Sequence, residues 1–458
     1  MNAHEHPTGS TLMRLPAFRT AFRTAFRTAF LILAAIATTA SAQDAGPRTT
    51  LSLTEALDIA RRNNPVYLQS ITGQSRARTN LRSAYGSLLP SADANVSGNY
   101  REGRPQFFGG VAFGATNDII SSSWGLSANA RYNYGTFANI RRANAQLDAA
   151  DADLEAALYS LRNSVAAQFL LALQTQARAS LQDTLVVQQR LQLELARART
   201  GVGAGTSLDV MRAEVGLGQQ EVAALRANNT AEVARLQLFQ QLGVPMPDGV
   251  ELTADLTVVA PNFQLEDLLT MARRGNPALL ATMARERVSA ASVRSARGEY
   301  TPTLSFSASI GGNAQAIVDS TELSPYVRQP YSLQASLSIP LFDGFGREQR
   351  LQEANAGRTD ARYNVRRQEL QLTADVTSAL VTVQASHRAV ELQARNATTA
   401  RQALQLAEER YRVGANTFVD LTTARAEYER AETDRIDAVY EFHRAYAALE
   451  SAVGRTLR

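Results

Sequence analysis

Four stretches of about ten residues alternate strictly between apolar and small polar side chains, and extended chain places such alternate residues on opposite faces. In 331–341, Tyr331, Leu333, Ala335, Leu337, Ile339 and Leu341 share one face, and Ser332, Gln334, Ser336 and Ser338 the other. In 303–310, Leu304, Phe306, Ala308 and Ile310 oppose Thr303, Ser305, Ser307 and Ser309. Earlier, Trp124, Leu126, Ala128, Ala130, Tyr132 and Tyr134 oppose Ser123, Ser127, Asn129, Arg131 and Asn133. The weakest stretch, 92–100, shows Ala92, Ala94, Val96 and Tyr100 on its apolar side. Runs of this length with one greasy and one wet face suit strands crossing a membrane around a watery lumen. A soluble antiparallel sheet with one solvated face gives the same alternation; aromatic strand ends and a secretory leader favour the membrane. Four strands cannot close a barrel, since about eight is the smallest known. Open sheet edges do not persist in lipid. The chain is therefore expected to share its barrel with further copies of itself.

The strands come two by two because the chain is written twice. "LSLTEALDIARRNNP" (51–65) matches "FQLEDLLTMARRGNP" (263–277), and "RSAYGSLLP" (82–90) matches "RSARGEYTP" (294–302), both at an offset of 212. "RRANA" (141–145) answers "LQEANA" (351–356) at an offset of 211. That offset holds at the V-G-A of "RARTGVGAGTSLDVMRAEV" (197–215) against that of "RYRVGANTFVDLTTARAEY" (410–428), and at Gly243 against Gly454. The expected organisation is a first repeat over 43–245 and a second over 263–458, joined by a Pro-containing connector, 246–262. Strands are expected near 91–102, 120–134, 303–312 and 330–341, and helical hairpins near 140–242 and 348–454.

Each repeat opens with a helix that Pro65 or Pro277 interrupts; Ser52 and Glu55 have capping-box spacing. From Ala143 to Arg199 there is neither Pro nor Gly, enough for a helix about 85 Å long. Leu147, Leu154, Leu158, Leu161 and Val165 step by sevens, fours and threes, a narrow stripe for side-by-side packing. The other faces carry Arg, Glu and Gln, which excludes lipid around them. The two V-G-A stretches are read as turns between long antiparallel helices. Gly203 and Gly414 end one helix in a conformation that Gly tolerates best, and Thr206 and Thr417 cap the next, with Asp209 and Asp420 at the third position. Both turns fall at the same end of the molecule, away from the strands.

Residues 1–42 read as a signal peptide: Arg14, Arg19, Arg23 and Arg27 precede an apolar run from Phe30 to Ala37, and Ala40-Ser41-Ala42 supplies a cleavage site. An uncleaved anchor is the alternative, but the apolar run is too short to span a bilayer. A-F-R-T repeats three times from Ala17, so a start at Met13 would give a more ordinary leader. The whole chain has 47 basic and 43 acidic residues, every basic one Arg. Removing the leader takes four Arg and Glu5, which leaves near neutrality and argues against nucleic acid as a partner. There is no Cys, hence no disulfide framework and no lipid-modified Cys; His387 and His443 are the imidazoles beyond the leader. No H-x-x-x-H, G-x-S-x-G or Gly-rich phosphate loop occurs, so neither an enzyme nor a cofactor is indicated.

The order of these features resembles the TolC family of outer-membrane efflux proteins. The carriers are "LSLTEALDIARRNNP", the strand openings "LLPS" and "YTPT", "LFDGFG" (341–346) and the duplicated V-G-A turns. The resemblance implies a mixed α and β membrane protein, a trimer whose twelve strands form one β-barrel continuous with a long α-helical periplasmic barrel. It implies the outer membrane of a Gram-negative bacterium, a periplasmic adaptor, and an inner-membrane pump or exporter as partners. It further implies a periplasmic gate, with Asp420 matching a ring-forming aspartate, Tyr411 a tethering tyrosine and Asp209 an aspartate of the first hairpin. Asn416 stands where some members carry a tethering Arg, and Thr423 where they carry a second ring aspartate, which implies a weaker latch and a single acidic ring. Helix capping alone is the competing role for both aspartates. Val202, Gly203 and Ala204, with Val413, Gly414 and Ala415, are expected to be docking tips for the adaptor. The expected function is a passive exit duct for efflux or type I secretion, its substrate class open between drugs, metal ions and proteins. A secreted coiled-coil adhesin or structural envelope protein is the alternative, disfavoured by strands embedded between helices in both halves.

Overall fold

A computed structural model describes residues 50–103, 106–113, 118–317 and 327–457. The expected leader, 1–42, lies outside them. A short strand β1 (Thr50–Ser52) leads into α1 (Leu53–Asn63) and α2 (Pro65–Gly86). Strands β2 (Ser91–Arg101), β3 (Gln106–Phe108), β4 (Val111–Phe113) and β5 (Ile119–Tyr132) follow, then α3 (Tyr134–Gly201) and α4 (Ser207–Leu242). After β6 (Glu251–Thr253), the second half gives α5 (Leu265–Gly275), α6 (Pro277–Gly298), β7 (Thr303–Ile317), β8 (Val327–Arg328), β9 (Ser332–Ser338), α7 (Gly346–Arg412) and α8 (Phe418–Val453). The 68 residues of α3 and 67 of α7 make helices about 100 Å long.

The main sheet runs β2-β5-β7-β9, antiparallel throughout, with β8 also on β7. Its register aligns the apolar residues: Val96 pairs Trp124, Ala94 pairs Leu126, Leu126 pairs Ile310, Ala130 pairs Phe306, and Phe306 pairs Ala335. The small polar residues line up on the other face, where Ser97 and Ser123 bond across β2 and β5 at 2.7 Å, and Ser309 and Ser332 across β7 and β9 at 2.8 Å. A one-residue slip between any two strands would mix the faces. Strands β2 and β9 are the open edges.

Several boundaries differ from the sequence expectation. Strand β5 stops at Tyr132, and Tyr134 is the first residue of α3, because the Asn133 side chain accepts from Thr136 N and starts the helix there. Strand β7 runs on to Ile317, past 312, while β9 keeps only the centre of 330–341. Pro340 and the following turn end it early; within that turn Phe345 holds a left-handed backbone, φ 67°, which costs a Phe about 1–2 kcal/mol. The connector contributes β6, which pairs in parallel with β1 and buries Leu51 and Leu252.

The helices pack side by side in one layer. Near the strands the neighbours run α2-α3-α6-α7; toward the far end they run α4-α3-α8-α7. The short helices thus continue each other end to end along the long ones. Three apolar clusters hold the layer. One joins Phe169 and Leu238 with α1 and the β1–β6 pair, one joins Phe442, Val376 and Leu268, and one joins Tyr411, Phe418 and Leu421 at the far end. Phe169 and Phe442 are fully buried, each worth about 1.5–3 kcal/mol. Among the described residues no helix is long and apolar enough to cross a membrane.

The end-to-end joints are built identically. Asn64 and Asn276 cap α2 and α6, and each also donates a side-chain bond across the joint, Asn64 to Gln241 O (2.7 Å) and Asn276 to Ala452 O (2.9 Å). Gly243 and Gly454 close α4 and α8 with φ of 77° and 81° and lie against the backbone of Asn63 and of Asn276. A β-carbon on Gly454 would come within 2.7 Å of Asn276 Cα. Gly454→Ala is expected to cost more than the 1–2 kcal/mol of left-handedness alone, lowering the thermal midpoint of the purified protein. Asn276→Ala is expected to cost about 1 kcal/mol; an unchanged midpoint in both would remove the joints from the account.

Candidate functional site: the hairpin tips

Helices α3 and α7 end side by side, and each ends in the same way. At the first tip Ala204 N donates to Arg199 O (2.9 Å) and Gly203 N to Thr200 O (3.0 Å). At the second, Ala415 N donates to Arg410 O (2.8 Å) and Gly414 N to Tyr411 O (3.1 Å). Gly203 and Gly414 carry the left-handed residue of this closure, φ 76° and 81°. Val202, Gly203, Ala204, Val413, Gly414 and Ala415 are all exposed.

The outgoing helices start with reciprocal capping boxes. Asp209 N donates to Thr206 Oγ1 (3.2 Å) and Thr206 N to Asp209 Oδ2 (3.3 Å). Asp420 N donates to Thr417 Oγ1 (3.2 Å), while Asp420 Oδ2 accepts from Thr417 N (3.0 Å) and Oγ1 (2.7 Å). The Thr417 hydroxyl and then its amide hold the Asp420 carboxyl below the usual carboxylate range. One oxygen of Asp420 is thereby committed to the cap, and Oδ1 is the one left for anything else. Asp420 and Thr423 are exposed one helical turn apart, and Asn416 is half-buried, its N bonded to Arg410 O (3.3 Å).

Tyr411 is buried between the hairpins, its ring 6.0 Å from that of Phe418 in an edge-on contact. Burial, reinforced by the nearby Asp209 charge, pushes its phenol up against the opposing pull of Arg199. Arg199 is the residue that sequence reasoning missed. Its guanidinium lies 4.4 Å over the Tyr411 ring, Nη1 donates to Tyr411 O in the other hairpin, and Nη2 donates to Ala204 O in its own (2.9 Å). One cation thus serves the carbonyl-rich ends of two helices. Its only sequence signal was a basic residue in the last turn of a helix.

Behind the tips the duplication shows as paired charges. Arg190–Glu221 (2.9 Å) bridges α3 and α4, and Arg401–Glu432 (2.5 Å) bridges α7 and α8 at positions offset by 211. One level closer to the tips the polarity is exchanged: Arg197–Glu214 (2.6 Å) in the first hairpin corresponds to Glu408–Arg425 (2.9 Å) in the second. The R-A-E triplets that look alike in sequence are out of register by two residues. Arg212 is exposed, whereas Arg425 is buried and also donates to Gln189 Oε1 (2.9 Å) across the seam. Burial pushes the Glu432 carboxyl up, but Arg435 and Arg401 together outweigh it and hold it below the usual carboxylate range. Lower in the same seam Asp437 accepts from Gln174 (2.7 Å) and Arg178 (2.8 Å). Among the described residues no His, Asp and Glu cluster suited to a metal is present.

The comparisons with known proteins match both halves. The family model described as outer membrane efflux protein matches residues 56–244 and again 268–455. Nodulation protein T of Rhizobium leguminosarum bv. trifolii is 26% identical over 408 residues, 84% of this chain and 82% of the relative. The pyoverdine export outer membrane protein OpmQ of Pseudomonas putida is 26% identical over 418 residues, 88% and 85% of the two chains. The fold superposes on the CmeC outer membrane channel of Campylobacter jejuni with a TM-score of 0.74 at 16% identity, covering 88% of this chain and 85% of that one. The open-state MtrE channel of Neisseria gonorrhoeae gives 0.72 at 20% identity, covering 89% of each. Duplicated in sequence, in strand pairing and in tip geometry, this chain belongs to the outer membrane efflux protein family, the exit ducts of Gram-negative outer membranes.

Proposed function

We propose that three copies of this chain, each a signal peptide (1–42) followed by two repeats (43–245 and 263–458) around a connector (246–262), form one continuous duct. The carrying observation is that both layers of the fold are open on both sides. The sheet ends in the unpaired edges β2 and β9. The helical layer ends in α4 and α7, whose outer faces expose apolar side chains. On α4 these are Leu208, Met211, Val215, Val222, Leu225 and Leu236, stepping by threes, fours and sevens or sums of these; on α7 they are Leu370, Val381, Leu392 and Leu406. Such spacing is a helix–helix seam, and α4 of one copy against α7 of the next closes the layer as β2 against β9 closes the sheet. Three copies give twelve strands, within the range of membrane barrels, with the apolar face to lipid and the Ser- and Asn-rich face to the lumen. The transport energy comes from an inner-membrane pump or exporter, reached through a periplasmic adaptor. Substrates pass without chemistry; drugs, metal ions and proteins all fit so generic a lumen.

The tips are the closed end of the duct in this reading, and Arg199 is the latch between the hairpins of one copy. Its stacking and two carbonyl bonds are worth about 1–3 kcal/mol together. Arg199→Ala is expected to give more frequent and longer openings in planar-bilayer recordings than the parent protein. Openings indistinguishable from the parent would place the latch elsewhere.

Asp420 caps α8 and contributes one carboxylate per copy to the constriction. Because its folded pKa is lowered, the cap is at full strength above the ordinary Asp value of about 3.9 and is lost only as pH falls through the lower folded value. Asp420→Asn keeps an acceptor for Thr417 and removes the charge, so cation selectivity in single-channel recordings is expected to fall. Unchanged selectivity would leave capping as its whole role.

The six exposed turns of a trimer form the docking sites for the adaptor. A β-branched residue at a left-handed position costs on the order of 1–2 kcal/mol, enough to disorder a tip and too little to unfold the assembly. The double change Gly203→Val and Gly414→Val is expected to leave outer-membrane trimers at parental levels while abolishing adaptor cross-linking and efflux. Loss of the trimers would make the turns folding elements, and full efflux would move docking elsewhere.

A further inference from the structure

Where α6 runs into β7 and α3 leaves β5, the two helices cross at a pair of glycines. A β-carbon on Gly298, the last residue of α6, would lie 2.6 Å from both Cα and N of Gly135 at the start of α3. The obstacle is backbone, so nothing there can swing aside. One turn back, Ser295 Oγ donates to Asn139 Oδ1 at 2.8 Å. Beside the crossing the two strands pair, Tyr132 with Leu304.

The duplication supplies both partners a second time. Gly86 ends α2 at an offset of 212 from Gly298, and Gly346 opens α7 at an offset of 211 from Gly135. Within one chain these two do not meet, because α2 and α7 lie at opposite sides of the helical layer near the strands, as β2 and β9 do in the sheet. A β-carbon on Gly86 would meet nothing within 4 Å, and one on Gly346 would come nearest to the Arg350 and Asp343 side chains, at 3.2 and 3.3 Å. Neither glycine is at positive φ. Their backbone therefore accepts ordinary side chains, and in a helix Ala is the better choice. Nothing inside the chain accounts for glycine at position 86.

We infer that Gly86 of one copy crosses Gly346 of the next, repeating between copies the crossing that Gly298 and Gly135 make within each. This rests on the proposed reading in which copies of the chain close both layers. The strands point to the same neighbour. Carried over by the two offsets, the β5–β7 register lays β9 of one copy beside β2 of the next with Leu337 opposite Gly98, Ser338 opposite Ser97 and Ser336 opposite Asn99. Ser336, Ser338, Ser97 and Asn99 then share one face and Leu337 keeps the other, so the sheet continues without mixing its faces. At such a crossing one methyl group holds two helices apart. Position 86 thus sets the spacing between copies where the helical layer passes into the barrel.

The test compares two glycines of α2 that look alike in a single chain. Gly73, like Gly86, has nothing within 4 Å of where a β-carbon would stand. The residue matching it in the second half is Arg285, so the carried-over packing accepts a side chain there. Gly73→Ala is expected to leave trimers in the outer membrane as heat-resistant as the parent's. Gly86→Ala is expected to lower the temperature at which trimers separate, or to abolish them. Equal behaviour of the two variants would overturn the crossing. Because the chain has no Cys, cross-linking reads the register independently. Ser83 and Arg350 match Ser295 and Asn139. Ser83→Cys combined with Arg350→Cys, treated in intact outer membranes with a short thiol-to-thiol reagent, is expected to give covalent dimers and trimers, and each single variant neither. Trimers of the double variant that yield no covalent product would overturn the crossing and leave closure by copies standing. A parent protein that forms no trimers would overturn both.

Discussion

On their outer sides, β2 and β9 carry backbone groups with no strand partner among the described residues, and in hydrocarbon each missing hydrogen bond costs several kcal/mol. No side-chain choice on those strands removes that cost. Only another strand does, and the register within the sheet fixes which face such a strand must continue. The helical layer repeats the problem in a different currency of interaction: α4 and α7 lack apolar neighbours where β2 and β9 lack hydrogen-bond partners. Both layers are open on the same two sides of one chain, so a single rotation operator closes both. Helices and strands are thereby locked to one stoichiometry, as a closed ring requires.

Within the chain the duplication does more than double the elements. In each half the last helix ends against the break between that half's own two opening helices, Gly243 against Asn63 and Gly454 against Asn276, so that short helices continue each other along α3 and α7. The tips then diverge from the shared plan in charge. The exchange of Arg197–Glu214 for Glu408–Arg425 puts a cation on the incoming helix in one hairpin and on the outgoing helix in the other. Only the second copy is buried at the seam, where Arg425 reaches Gln189. Arg199 adds an asymmetric tie from the first hairpin to Tyr411 of the second. Two similar hairpins are thus held together by dissimilar contacts.

Much of this was legible in the sequence because period and spacing carry it. The alternation of 303–310 and 331–341 placed Phe306 and Leu333 on one face, and the pairing of Ala308 with Leu333 puts them there. The Thr-x-x-Asp spacing after each V-G-A gave the capping boxes. Tyr134 was assigned to a strand because alternation simply continues through Asn133, whose capping bond is a local event no period reveals. Strands β1 and β6 are three residues each, too short for a pattern, and their pairing depends on a connector read only as a spacer. Arg199 and the exchanged ion pair escaped for a different reason. Their partners lie on other helices, so only the packing within and between the hairpins gives them meaning. The likeness of the R-A-E triplets misled in the same way, since two residues of slip turn a helical side chain to the other side.

Closure by identical copies is the claim on which the sheet faces and the gate both depend. Native mass spectrometry of the protein extracted from outer membranes in mild detergent measures it directly. The account predicts a single species of three mature chains that resists heating and yields unfolded monomers without a folded intermediate. A folded monomer that keeps its β-sheet signal in lipid, with β2 and β9 unpaired, would contradict it.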